Sequence, residues 1–261
     1  MLAAAVAVAL AAGLSSGVVY RGLVQVADVV FSAADHGNQA GAVRPLSADR
    51  SGGPLSLVTW DSLGEYGRAF VSLGPTVAQV ESLTGRPAIE PIRVFAGSAS
   101  APTLHDQASL VLAELKRTGA FHRRLLAVAT TTGEGWVDPT LADPLEYMYA
   151  GDTAIAAMQY SYLPSWISFL TDQDRARQAG RELFTTVYDY WSTLPTAHRP
   201  RLVVFGESLG AFGSGAAFTG ITDMTTTALY LRAVLRHEAP DHIPDQVGTN
   251  WKEVRGPNVL P

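Results

Sequence analysis

The stretch Arg201-Leu202-Val203-Val204-Phe205-Gly206-Glu207-Ser208-Leu209-Gly210 decides how the chain reads. An apolar run enters a Gly-x-Ser-x-Gly pentad, and the segment from Ala211 to Phe218 that follows is dense in Ala, Gly and Ser. This is the pattern of a strand that reverses at once into a helix, with Ser208 at the apex of the bend. Glycines two positions to either side remove the Cβ atoms that would collide where strand and helix cross. A serine hydroxyl is a weak nucleophile unless it is exposed, oriented and given a base. The bend supplies exposure and orientation, at the cost of a strained backbone at the serine. Leu209 would open the helix, so its backbone N–H can face a developing oxyanion, aided by the helix N-terminal dipole. Ser208 as nucleophile and the Leu209 amide as oxyanion donor are the site residues expected from this pattern.

Working outward, four short apolar runs read as strands: Pro91 to Ala96, Arg124 to Thr130, Thr153 to Tyr160 and Arg201 to Phe205. Helical stretches alternate with them: Leu104 to Arg117 with a stop at Gly119, Pro139 to Tyr149, and Gln173 to Leu194. Nearly continuous apolar strands separated by helices predict an α/β fold, a mostly parallel sheet covered by helices on both faces. Ligands of such sheets sit beyond the carboxyl ends of the strands. The loops after Ala129, Tyr160 and Phe205 are therefore expected to converge on one crevice. The turn from Thr131 to Gly135 is a candidate second oxyanion donor, with an ordinary polar connection as the alternative. The aromatic segment Tyr160 to Trp166 would either wall an acyl pocket or simply pack. Asp61 and Asp152 read as turn or capping residues.

Composition limits the function classes. The chain has 261 residues, 47% hydrophobic and 16% charged, with a net charge of −5 and no cysteine. No clustered basic face offers itself to nucleic acid. Disulfides, thiolate zinc sites and cysteine nucleophiles are excluded together. The six histidines, at 36, 105, 122, 198, 237 and 242, show no metal-ligand spacing, and no cofactor is implied. Leu2 to Tyr20 is charge-free and about long enough to cross a bilayer core. Residues 1–31 are accordingly expected to be a hydrophobic helix spanning a membrane, 32–54 a linker, and 55–261 the α/β domain.

Several blocks resemble a known family. They are Ser56 to Gly64 (Ser-Leu-Val-Thr-Trp-Asp-Ser-Leu-Gly) with Gly67-Arg68, Pro91 to Val94, Thr118 to Phe121 and Thr132 to Pro139. Gln159 to Trp166 and Phe205 to Gly210 complete the set. Together they are similar to the α/β-hydrolase family of predicted bacterial membrane proteins, common in actinobacteria, in which several spans precede a catalytic domain. The resemblance covers roughly residues 50 to 222 and implies hydrolase activity with Ser208 as nucleophile. It also implies that the chain is cut short at both ends. About fifty residues follow Ser208, while triads of this fold place the acid and then the histidine after the serine. His237 and His242, with Asp241 and Asp245, are the local candidates, in a polar segment that reads as surface loop.

These readings lead to a membrane-associated serine hydrolase acting on a small or lipid-like acyl ester, an esterase, lipase or thioesterase. Two alternatives stay open: a catalytically dead binding or scaffold module of the same fold, and an acyltransferase using the same elbow.

Overall fold

A computed structural model of the chain describes Ser32, residues 35–163 and 173–217, and the backbone of 252–254. The expected N-terminal hydrophobic helix and the segment carrying His237 and His242 lie outside the described residues. No helix among the described residues is long and apolar enough to cross a membrane.

The elements follow the expected alternation. After a 3₁₀ turn at Trp60–Leu63 come α1 (Gly64–Leu73), α2 (Val77–Thr84), β1 (Ile92–Ala96) and α3 (Leu104–Arg117). Then follow β2 (Leu125–Thr130), α4 (Pro139–Met148), β3 (Thr153–Met158), α5 (Gln173–Thr193), β4 (Arg201–Gly206) and α6 (Leu209–Ala216). A last strand, β5 (Lys252–Val254), has no counterpart in the sequence reading. Boundaries sit where local chemistry stops the helices. Thr103 caps α3 by accepting from the Asp106 N–H, and Gly119 turns left-handed at φ 70° just beyond it. Asp138 caps α4 ahead of Pro139, which needs no N–H partner at that position.

The strand order is β1-β3-β2-β4-β5, parallel throughout except for antiparallel β5. Side chains alternate between two cores, as strand geometry requires. Ile92, Val94, Leu126, Val128, Ala156 and Leu202 pack with Val111, Leu115, Leu183 and Trp191 of α3 and α5. Phe95, Ala127, Ala129, Ile155 and Phe205 pack on the other face with Leu63, Phe70, Val71 and Leu145 around α1 and α4. A sheet apolar on both faces needs both covered, which is why the strands lack polar alternation.

The register is level. Ala96 pairs with Met158, Met158 with Thr130, and Thr130 with Gly206. The carboxyl ends of all four parallel strands therefore lie on one line, and their loops leave the sheet along the same edge.

Composition assigned residues 32–54 to a linker, but their described part is built into the domain. Arg50 bridges Arg93 in parallel, Ser51 N–H donates to the Arg93 carbonyl at 3.0 Å, and Arg93 N–H donates to the Asp49 carbonyl at 3.1 Å. Asp49 to Ser51 thus cover the free edge of β1, as β5 covers that of β4. Sparse hydrophobicity hid this, because the segment is held by arginines. Arg50, 5% exposed, donates to Glu90 at 2.7 Å and to the carbonyls of Val71 and Pro75. Arg93, 2% exposed, donates to both Glu146 oxygens at 2.8 Å, to Asp143 at 2.6 Å and to the Phe70 carbonyl. Removing one partner of such a buried pair strands the other charge in the core. Arg93→Ala is expected to cost about 3–5 kcal/mol, read as a lowered urea midpoint.

Candidate functional site

Ser208 stands where the sequence places it, between the last residues of β4 and the first residue of α6. Its backbone adopts φ 52° and ψ −120°, a conformation L-residues avoid. The side chain is solvent-exposed. Its hydroxyl has no hydrogen-bond partner among the described residues.

The glycines around it are spent on close approach. A Cβ on Gly206 would lie 2.5 Å from the Gly210 carbonyl group, so strand and helix cross in contact. A Cβ on Gly210 would come within 2.2 Å of the Thr130 carbonyl oxygen at the end of β2. One turn on, a Cβ on Gly213 would meet the Ala176 carbonyl oxygen of α5 at 2.6 Å, and one on Gly180 would meet the Gly213 carbonyl oxygen at 2.3 Å. Helix α6 is therefore wedged backbone to backbone between β2 and α5. The Leu209 side chain is buried in the core, 2% exposed, which fixes the first turn of α6. The Gly210 N–H is taken by the Glu207 carbonyl at 2.8 Å and the Phe212 N–H by the Ser208 carbonyl at 3.2 Å. The Leu209 N–H has no such acceptor among the described residues, which leaves it to the site.

Beside Ser208 opens a cavity of about 240 Å³ lined by Tyr66, Thr132, Glu134, Trp136, Glu207 and Ser208. The loops after β2 and β4 converge there as expected, and α1 adds Tyr66. No described residue of the loop after β3 is in the lining. Tyr160 is fully buried in the core, and the Ser161 N–H supports the β2 loop from behind by donating to the Gly133 carbonyl at 3.0 Å. The packing alternative thus holds for Tyr160, while residues 164–166 lie outside the described residues. In the turn from Thr131 to Gly135, the Thr132 N–H donates to the Trp136 carbonyl and the Gly135 N–H to the Thr132 carbonyl. Those two amides are spent internally, and the Gly133 and Glu134 amides make no bond to a described group.

Sequence reasoning missed Tyr66, Glu134, Trp136 and Glu207 as lining. Trp136 and Glu134 sat in a quoted block, but nothing in their spacing said which way they face. Tyr66 comes from a helix far away in sequence. Its helix is brought to the site by glycines: a Cβ on Gly67 would press on the Phe95 ring at 2.5 Å, and one on Gly64 would strike the Asp35 carboxylate and Gln159 Oε1. Asp152 is structural, accepting from the Arg124 N–H at 3.1 Å, and Asp61 lies in the first turn of the 3₁₀ segment. Of the described histidines, at 36, 105, 122 and 198, none lines the cavity.

The electrostatics are one-sided. Burial raises the Glu134 carboxyl above its usual range, against a hydrogen bond from Tyr66, and the nearby charges of Glu65 and Asp35 push it the same way. Burial also raises Glu207, reinforced by the adjacent Asp138 carboxyl. Asp35 is raised by burial in spite of the Glu65 N–H and Gln159 bonds it accepts.

Two outcomes test this geometry. Gly210→Ala drives a methyl group into the Thr130 carbonyl and is expected to lower stability by about 1–3 kcal/mol, measured by urea unfolding. For Glu207, a raised native value means the folded protein holds the proton to higher pH than the unfolded chain. Stability should therefore fall as pH rises above the ordinary 4.5 and level off beyond the native value. Glu207→Gln is expected to abolish that fall, matching the parent below pH 4.5 and exceeding it at neutrality, as read from unfolding midpoints across pH.

Comparison with known proteins agrees with this architecture. A sequence profile described as "Alpha/beta-hydrolase family" matches residues 92–241, and one described as "Alpha/beta-hydrolase family N-terminus" matches residues 1–75. Searches of curated proteins and of solved structures returned no match. With a level parallel sheet, a strained serine at the strand-to-helix bend and a profile match over most of its length, the chain belongs to the alpha/beta-hydrolase family.

Proposed function

We propose that the chain is a membrane-associated serine hydrolase acting on an ester or thioester, with Ser208 as nucleophile. The observation that carries this reading is the backbone of Ser208, held at φ 52° with its side chain in solvent at the end of a central strand. Such strain is retained where neighbouring packing enforces it, and its use here is presentation of a hydroxyl. In the reaction the Ser208 oxygen attacks the acyl carbon, and a base takes its proton. The oxyanion that forms is met by the Leu209 N–H at the start of α6. Collapse breaks the bond to the leaving alcohol or thiol, which receives the proton, and water then releases the acid from the acyl-serine. The base is a histidine that the described residues do not include; His237 and His242 are the candidates within the chain. The hydrophobic stretch from Leu2 to Tyr20 serves as the membrane anchor.

Labelling with a fluorophosphonate probe tests the nucleophile directly. The full-length protein should carry the adduct on Ser208, and Ser208→Ala should lose reactivity by at least about a thousandfold. A full-length protein that never reacts at Ser208 would establish the non-catalytic alternative. For the anchor, the intact chain should sediment with membranes after carbonate washing, and a chain lacking residues 1–31 should not.

A further inference from the structure

The cavity beside Ser208 has a composition unlike an acyl pocket. Its walls are two aromatic rings, Tyr66 and Trp136, and two carboxyl groups, Glu134 and Glu207, with Thr132 and Ser208 completing it. Among the described residues no Lys, Arg or His lines it. Asp35, Glu65 and Asp138 stand behind the carboxyls and add negative potential. Arg68, which donates to the carbonyls of Asp35 and Gly37, and His36 offset part of the Asp35 charge without lining the cavity.

Two buried oxygens at the cavity receive no donor from the described residues. Thr132 is 6% exposed, and its buried hydroxyl makes no hydrogen bond among the described residues. Glu207 Oε2 is buried too, with no donor from the described residues, and the Glu207 carboxyl meets only the like-charged carboxyl of Asp138. Buried oxygens in this state cost stability unless something donates to them. A ligand that satisfies them must bring N–H or O–H donors. Between two lining carboxyls, Glu134 and Glu207, with no cation among the described lining residues, it gains most if it also brings positive charge. Aromatic faces favour the same ligand, since their quadrupoles attract a cation by about 0.5–2 kcal/mol each. The volume, about 240 Å³, is below the roughly 300–1,000 Å³ of sites that enclose drug-sized molecules. That space matches a small head group.

We infer that this cavity binds a primary ammonium group, so that the substrate of Ser208 is an ester or thioester carrying an alkylammonium within a few atoms of its carbonyl. The inference rests on the reading of Ser208 as nucleophile only for the second half of that statement; the ammonium site stands on the cavity alone. Glu207 and Glu134 hold the charge, Thr132 and Glu207 Oε2 accept N–H donors, and Tyr66 and Trp136 cover the alkyl carbons.

Calorimetric titration of the full-length protein with n-butylammonium chloride, against n-butanol as a neutral match, tests the site without requiring turnover. Butylammonium should bind saturably and butanol should not. Glu134→Gln and Glu207→Gln, conservative changes at half-exposed positions, should each weaken butylammonium about tenfold, the size of one charge-assisted contact. Ser208→Ala should lose fluorophosphonate labelling while still binding butylammonium saturably. Equal affinity for amine and alcohol, or unchanged affinity in both glutamine variants, overturns the ammonium site. If labelling at Ser208 succeeds in that case, the hydrolase reading survives it. If the amine binds as expected and Ser208 never labels, the site stands and the hydrolase reading falls.

Discussion

The contact on which the rest depends is the approach of Gly210 to the carbonyl of Thr130. No side chain can stand between the first turn of α6 and the end of β2, because a single carbon there would lie 2.2 Å from an oxygen. That closeness forces the bend at Ser208, and the bend forces the left-handed backbone. The strain has a second support on the far side of the helix, where Gly213 and Gly180 bring α6 against α5 with no side chain between them. A residue held in an unfavourable conformation persists only when its surroundings leave it no alternative. Here three neighbours, β2, α5 and β4, remove the alternatives.

Two features of the sheet convert that bend into a site. The level register brings the ends of β1, β3, β2 and β4 into one row, so residues distant in sequence leave the sheet side by side. Buried arginines then close the flanks. Arg50 and Arg93 bind carbonyls and carboxylates from α1, the turn after it, the residues before β1 and α4, tying segments that share little apolar surface. Gln159, 1% exposed, does related work near the site, with its side chain engaging the Ser98 N–H and the Asp35 carboxylate.

What could be read from the chain follows from what sequence encodes locally. The four parallel strands and the helices α3 to α6 announced themselves through period and caps, each within a residue or two of its observed limits. The bend at Ser208 was legible because five consecutive residues carry it. Residues 49–51 escaped because an edge segment held by arginine hydrogen bonds has no hydrophobic period. Strand β5 escaped because three residues carry almost no pattern. Tyr66, Glu134, Trp136 and Glu207 could be read as residues but not as a wall, since which side chains share a cavity is fixed only once α1 has docked through Gly64 and Gly67. The orientation of Tyr160 stayed open for a similar reason, since an aromatic after a strand end reads alike whether it turns inward or outward, and it packs in the core.

The backbone contact between Gly180 and Gly213 has a bearing on how this molecule can diversify. Two helices touching through main chain cannot slide or roll past each other, so the position of the hydroxyl is insulated from change elsewhere. Both rings and the Glu134 carboxyl hang from a loop and from a separate helix, each replaceable singly. Descendants of this chain can therefore exchange their choice of molecule one wall at a time, while the anvil on which it is struck stays where it is.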